Sequence, residues 1–163
     1  MIQHWLRYMG LKNPTQYLAE FTTNNHTSSL LKYSQYAAYV SPTLLPEVYR
    51  SGVAEPRNLD HGNEELWRRI EMTVLNPHFA PLMATDLAKV SPAFVITSEF
   101  DVLRDDGIIY VERLRRAGVR VNLYHVKTSF HGFCSAYLFE STQFDICNKI
   151  LPDVIQYIEE NIH

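Results

Sequence analysis

Two residues in this chain have the types and placement for proton transfer. Asp101 ends an apolar run, Ala93-Phe94-Val95-Ile96-Thr97-Ser98, and His131 opens the loop after a second run, 30 positions further on. A carboxylate held against one imidazole nitrogen fixes the tautomer and steadies the imidazolium. The other nitrogen is then available to carry a proton between a nucleophile and a leaving group. Read singly, each residue is ordinary, because Asp is common in turns and helix caps and a loop His is most often a surface residue. Asp105 and Asp106 stand at the start of the following helix beside its positive end, so they are the better capping candidates and Asp101 is left for other work. The pair also requires a nucleophile. No Gly-x-Ser occurs in the chain, and Ser98 and Ser129 lie near the same rim without a strand-to-helix elbow.

The elements that must position the pair are legible nearby. Ala93 to Ser98 is a short continuous apolar run with β-branched residues, as for a strand buried on both faces. Asp105 to Ala117 carries Ile108, Ile109, Val111 and Leu114 on one helical face, with Glu112 and Arg116 spaced to pair and Gly118 as the stop. Val119, Val121, Leu123 and His125 alternate with Arg120, Asn122 and Tyr124, which predicts a second strand, and Lys127 to Phe130 then form a loop. From Phe144 to about Ile162 a final helix turns Ile146, Ile150, Val154, Ile155 and Ile158 inward, with Pro152 starting a new turn or kinking it. Strand, helix, strand of this length is a crossover between parallel neighbours, which puts Asp101 and His131 on one rim, at strand ends about 4.8 Å apart. Two strands are too few for an independent parallel sheet, so the open side of the first calls for another partner and the chain reads as incomplete.

Residues 1–90 read differently from 91–163. They form short helical pieces cut by turn residues. One opens at Pro14 and runs Thr15 to Phe21; Asn24 to Ser29 break it, and Leu30 to Val40 resume. Residues 51–62 read as a surface loop, and Asn63 caps a helix over Glu64 to Val74. The first ten residues place Ile2, Trp5, Leu6 and Met9 at helical spacing, with Gly10 as the stop. This half shows no convincing core of its own, which disfavours a stand-alone helical binding module.

Composition narrows the classes. At 163 residues, 46% hydrophobic, 20% charged and a net charge of −3 with no basic block, the chain has a packed core's content and little with which to bind nucleic acid. Cys134 and Cys147 are its only cysteines, too few for a disulfide scaffold, and read as buried or half-buried thiols. No run is long enough to span a bilayer, and the first residues do not form a signal peptide. His4, His78 and His125 show no paired metal-ligand spacing, so no metal is expected. Asn25-His26-Thr27 is an N-glycosylation sequon.

The run Phe100-Asp101-Val102-Leu103-Arg104-Asp105-Asp106-Gly107, with Tyr110, Leu114, Ala117-Gly118-Val119 and then His131-Gly132-Phe133, resembles the C-terminal region of the hormone-sensitive-lipase group of α/β-hydrolases. The likeness is to the arylacetamide deacetylase and neutral cholesterol ester hydrolase branch. In that branch the acid is the first Asp of Asp-x-Leu-Arg-Asp, and the histidine lies in a His-Gly pair 30 positions on; those roles carry over to Asp101 and His131. The Trp5 helix, Asn24 to Ser28 and Ala80 to Leu87 are similar to its lid-side segment and its approach to the penultimate strand.

The resemblance implies an α/β fold, with 1–90 as helical cap segments and 91–163 as the last two parallel strands of an α/β-hydrolase core and their flanking helices. It implies a serine ester hydrolase with no cofactor, acting on lipophilic esters or arylamides, with Trp5 and Leu6 lining an acyl site. The His-Gly-Gly oxyanion segment and the Gly-x-Ser-x-Gly elbow would precede residue 1, so this chain alone is expected to be inactive. It further implies the lumenal side of the endoplasmic reticulum membrane, reached through an anchor this chain does not contain. Some relatives carry cysteine at the position of Ser98, so a disulfide there is not available. The competing expectation is a catalytically inactive hydrolase-like protein that serves as a binding module.

Overall fold

The computed structural model describes residues 6–11, 13–50, 62–134 and 144–161. The chain divides into two compact units, Met1–Thr85 and Asp86–His163. The loop expected over 51–62 lies, apart from Gly62, outside the described residues.

In the first unit, helices are short because capping residues recur every few positions. After a single turn over Pro14–Tyr17, α1 spans Leu18–Thr22, α2 Ser29–Lys32, α3 Gln35–Tyr39 and α4 Glu64–Val74. Ser28 accepts the Leu31 N–H at 3.0 Å, and Ser34 accepts that of Tyr36 at 3.2 Å. Each thus satisfies a donor that a helix start leaves open. Ser34 also splits the helix expected over 30–40 in two. Asn63 Oδ1 accepts the Leu66 N–H at 2.9 Å, with Glu64 and Glu65 in the first turn of α4, as its sequence requires.

Gly10, at φ 74°, ends the helical residues 6–8. Its N–H donates to the Arg7 carbonyl and the Leu11 N–H to that of Leu6, the two bonds of a left-handed helix stop. The core that the sequence pattern does not show is a small one. Leu66, Trp67 and Ile70 are buried against Met9, Leu11, Tyr17, Phe21 and Leu31, all in this unit.

The second unit is a strand–helix–strand–helix run: β1 Ala93–Phe100, α5 Arg104–Arg116, β2 Val121–Phe130 and α6 Asp145–Asn161. β1 and β2 are parallel, and among the described residues they form a two-stranded sheet. Ile108, Ile109, Val111 and Leu114 of α5 are buried, the helical face expected. The helix ends at Gly118 with φ 77°; Gly118 donates to Arg115 and Val119 to Leu114, the same stop as at Gly10. Val119 is therefore spent on the cap, packing its side chain inward, and β2 begins two residues later than its alternation predicts.

β2 also runs further, through Lys127–Phe130, which the sequence reads as loop. From Ala93 to Ser98 the partners are Val121 to Val126; a slip follows, and Phe100 faces Phe130. Two extra residues of β2 are taken up there, a bulge that leaves the polar Lys127 and Thr128 exposed while the pairing continues.

Other expectations shift. Glu112 pairs with Arg115 at 2.8 Å, one residue short of the predicted Arg116, since positions three and four ahead share a helix face. α6 passes through Pro152 as one helix. Cys147 and Ile150 pack with Val126 and Phe133, but Ile155 and Ile158 are about half exposed at 47% and 45%. The apolar stripe of α6 is wider than the two-stranded sheet it covers.

Gly107 marks where α5 crosses β1. A Cβ there would lie 2.7 Å from Thr97 Cγ2, and Thr97 is β-branched, buried and hydrogen-bonded, so it has little room to yield. Gly107→Ala is expected to destabilise this unit by about 1–3 kcal/mol, the range for overpacking, in spite of alanine's better helix propensity. Urea unfolding of the two proteins measures this, and equal midpoints would contradict the close approach.

Candidate active site

The slip in the ladder decides which residues meet at the rim. Ahead of it, pairs are separated by 28 positions, as for Thr97 and His125; beyond it the separation is 30, as for Asp101 and His131. Without the bulge, Asp101 would face Ser129.

Asp101 is held by both carboxylate oxygens. Oδ1 accepts the Leu103 N–H at 2.9 Å, an Asx turn that starts the approach to α5, and Oδ2 lies 2.9 Å from His131 Nδ1. Asp101 therefore has a structural task as well, one that its sequence context does not reveal. Its side chain is 14% exposed and that of His131 is 55% exposed. His131 stands at the second position of a turn in which the Phe133 N–H donates to the Phe130 carbonyl at 3.2 Å, and Gly132 takes φ 74° at the third position. That position favours glycine, which is the physical reason for the His-Gly pair. With Nδ1 occupied by the carboxylate, the proton of the neutral ring sits on Nδ1, and Nε2 makes no hydrogen bond among the described residues.

A second imidazole–carboxylate contact lies one layer back. His125 Nε2 is 2.9 Å from Glu99 Oε2, and its Nδ1 is 2.9 Å from Thr97 Oγ1. Arg104 joins Glu99 Oε1 at 2.7 Å and Asp105 at 2.8 Å. The His125 side chain is only 6% exposed, while those of Glu99 and Asp105 reach solvent at 36% and 40%. The sequence reading missed it because His125 fits strand alternation as an ordinary position, and only the register reveals its partner. Glu99's carboxyl is held below its usual value, chiefly by the hydrogen bond to His125; partial burial opposes this, and the Arg104 charge adds to the lowering.

Ser98 and Ser129 are 4% and 3% exposed, and Ser129 Oγ donates to the Val126 carbonyl, so neither presents a hydroxyl to a substrate. Leu6, a residue of the first unit, is fully buried, and Trp5 lies outside the described residues. In the sequon, Asn25 Oδ1 is shielded with no hydrogen-bond partner among the described residues, and Thr27 is buried. Among the described residues no three His, Cys, Asp or Glu side chains are grouped to hold a metal ion, and no helix is long and apolar enough to cross a membrane.

Two measurements check this geometry. Asp101→Asn keeps an acceptor for Leu103 but turns an amide N–H toward His131, so the neutral imidazole should move its proton from Nδ1 to Nε2. Imidazole 15N shifts read the tautomer directly, and an unchanged pattern would refute the contact. Glu99 acts on the acid side. Because its folded pKa is lowered, its stabilising contribution is whole above the ordinary carboxylate value and is lost as pH falls through the folded one. The difference in unfolding midpoint between wild type and Glu99→Gln should shrink from about pH 6 to about pH 3.

Comparison with known proteins identifies the fold family. The pattern of the alpha/beta hydrolase fold matches residues 23–135. Neutral cholesterol ester hydrolase 1 of Pongo abelii is 30% identical over 99% of this chain and 40% of its own length. Arylacetamide deacetylase of Bos taurus is 31% identical over 99% and 39%, and that of Oryctolagus cuniculus 36% over 83% and 32%. The chain thus spans about 40% of the length of the curated relatives it matches. With its parallel strands, covering helices and an acid and a histidine at the strand ends, the chain belongs to the alpha/beta hydrolase family.

Proposed function

We propose that this chain supplies the acid and the histidine of a carboxylic-ester hydrolase, with the serine coming from a segment outside its 163 residues. The observation that carries the reading is the 2.9 Å contact of Asp101 Oδ2 with His131 Nδ1, which leaves Nε2 uncommitted on the exposed side of the ring. In this reading His131 Nε2 takes the serine proton as the hydroxyl attacks the ester carbonyl. It returns that proton to the departing alcohol or amine, then repeats the cycle with water to release the acid. Asp101 stays ionised, holds the Nδ1–H tautomer and stabilises the imidazolium. The oxyanion donors belong to the same outside segment as the serine.

The relatives' names, a cholesterol ester hydrolase and an arylacetamide deacetylase, support lipophilic esters or arylamides as substrates. Phe100 and Val102, 71% and 81% exposed on either side of Asp101, and the half-exposed Phe130 before His131 supply apolar surface beside the pair. An anchor outside this chain, the lumenal side of the endoplasmic reticulum membrane and a glycan on Asn25 complete the proposal.

The test compares p-nitrophenyl acetate turnover by the 163-residue chain with turnover by the same chain joined to the N-terminal portion of a relative. The chain alone should show none. The joined protein should hydrolyse the ester and lose about 10⁴-fold in kcat with Asp101→Asn. Turnover by the chain alone that disappears with His131→Ala would show that no outside serine is needed.

A further inference from the structure

Cys134 and Cys147 are the chain's only cysteines, and the structure brings their sulfurs together. Cys134 Sγ donates to Cys147 Sγ at 2.7 Å, across 13 positions of sequence. Cys134 is exposed as a residue and Cys147 is buried, the third residue of α6, in the apolar cluster of Val126, Phe133 and Ile150. Cys147 Sγ also approaches the Phe133 carbonyl at 3.7 Å. The Cys134 residue is thus open to a reagent in solvent, while Cys147 is shielded.

We propose that Cys134 and Cys147 form an intramolecular disulfide when the chain meets a disulfide oxidant such as oxidised glutathione. The bond staples the His131 turn to the first turn of α6. The Cys134 thiolate attacks one sulfur of glutathione disulfide, giving a mixed disulfide and one glutathione thiolate. Cys147 then attacks the Cys134 sulfur and expels the second glutathione. Both cysteine protons pass to the two glutathione thiolates, so two protons and two electrons move from the pair to the oxidant. With two cysteines only one internal connectivity exists.

The environment bears on rate and outcome. Burial of the sulfur and the hydrogen bond with Cys147 push the Cys134 thiol up to about 12, which makes uncatalysed attack slow. Oxidation removes the Cys147 S–H from an apolar cluster and leaves no donor unpaired there. It also ties the turn from its far side. β2 already fixes Phe130, and the staple fixes Cys134, three residues past His131, so the imidazole is held between two anchors.

The experiment incubates the reduced 163-residue chain with excess glutathione disulfide, blocks remaining thiols with maleimide after unfolding, and digests it for mass spectrometry. The expected product has lost the mass of two hydrogens, yields one linked pair of peptides bearing Cys134 and Cys147, and takes up no maleimide until dithiothreitol restores both thiols. Stable glutathione on Cys134 with Cys147 still a thiol, or a Cys134-linked dimer as the main product, overturns the proposal. Cys134→Ser, a change at an exposed position, provides the second arm. Oxidant should raise Tm in the wild type and leave it unchanged in the variant, and an equal rise in both overturns the staple.

Discussion

The geometry of the candidate site hangs on the register of one parallel ladder. In a sheet, side chains alternate faces with a period of two, so a strand displaced by one residue presents the wrong face along its whole length. A displacement of two keeps the faces and changes only the partners. The slip between Ser98 and Phe100 is of that kind. It takes the ladder from Val126 opposite Ser98 to Phe130 opposite Phe100, and so advances the rim by one pair of residues. That advance exchanges Ser129 for His131 opposite Asp101.

The two histidines show how one chemical contact serves different ends. His125 meets Glu99 through Nε2 inside the sheet, and His131 meets Asp101 through Nδ1 at the surface. The buried contact is continued by Arg104 to Asp105, tying the end of β1 to the first turn of α5 on both sides of the Asp101–Leu103 turn. The exposed contact terminates at an uncommitted nitrogen. The geometric effect of this network is to leave the Asp101 turn little freedom.

Much of this was legible in residue order. The apolar run, the helix stripe from Ile108 to Leu114, Gly118 as a stop and Asn63 as a cap are local signals, and local chemistry determines them. The joint placement of Asp101 and His131 followed from topology, because parallel neighbours end on the same side. Other features depend on distances that sequence does not carry. The length of β2 was hidden by Lys127 and Thr128, polar residues that a bulge turns outward. The choice of Arg115 over Arg116 rests on rotamers of two positions that share a face. The outward lean of Ile155 and Ile158 reflects how little sheet lies beneath α6, which no periodicity in the helix reports. The contact of Cys134 with Cys147 joins a turn to a helix, and the residues between them show no pattern that would bring their ends together.

The position of the slip has a consequence for how such a chain diverges. Fold-holding contacts, including Thr97 with His125, are made under the first register, and the exposed acid–imidazole contact is made under the second. A deletion of two residues within Lys127–Ser129 would restore an unbroken ladder and, if anything, a more regular sheet. It would still leave His131 opposite Asp101, because the two residues lost are the two that the bulge takes up. What this spot requires is therefore a match of chain length to register: with these residues present the ladder must slip to bring acid and imidazole together, and with two fewer it must not.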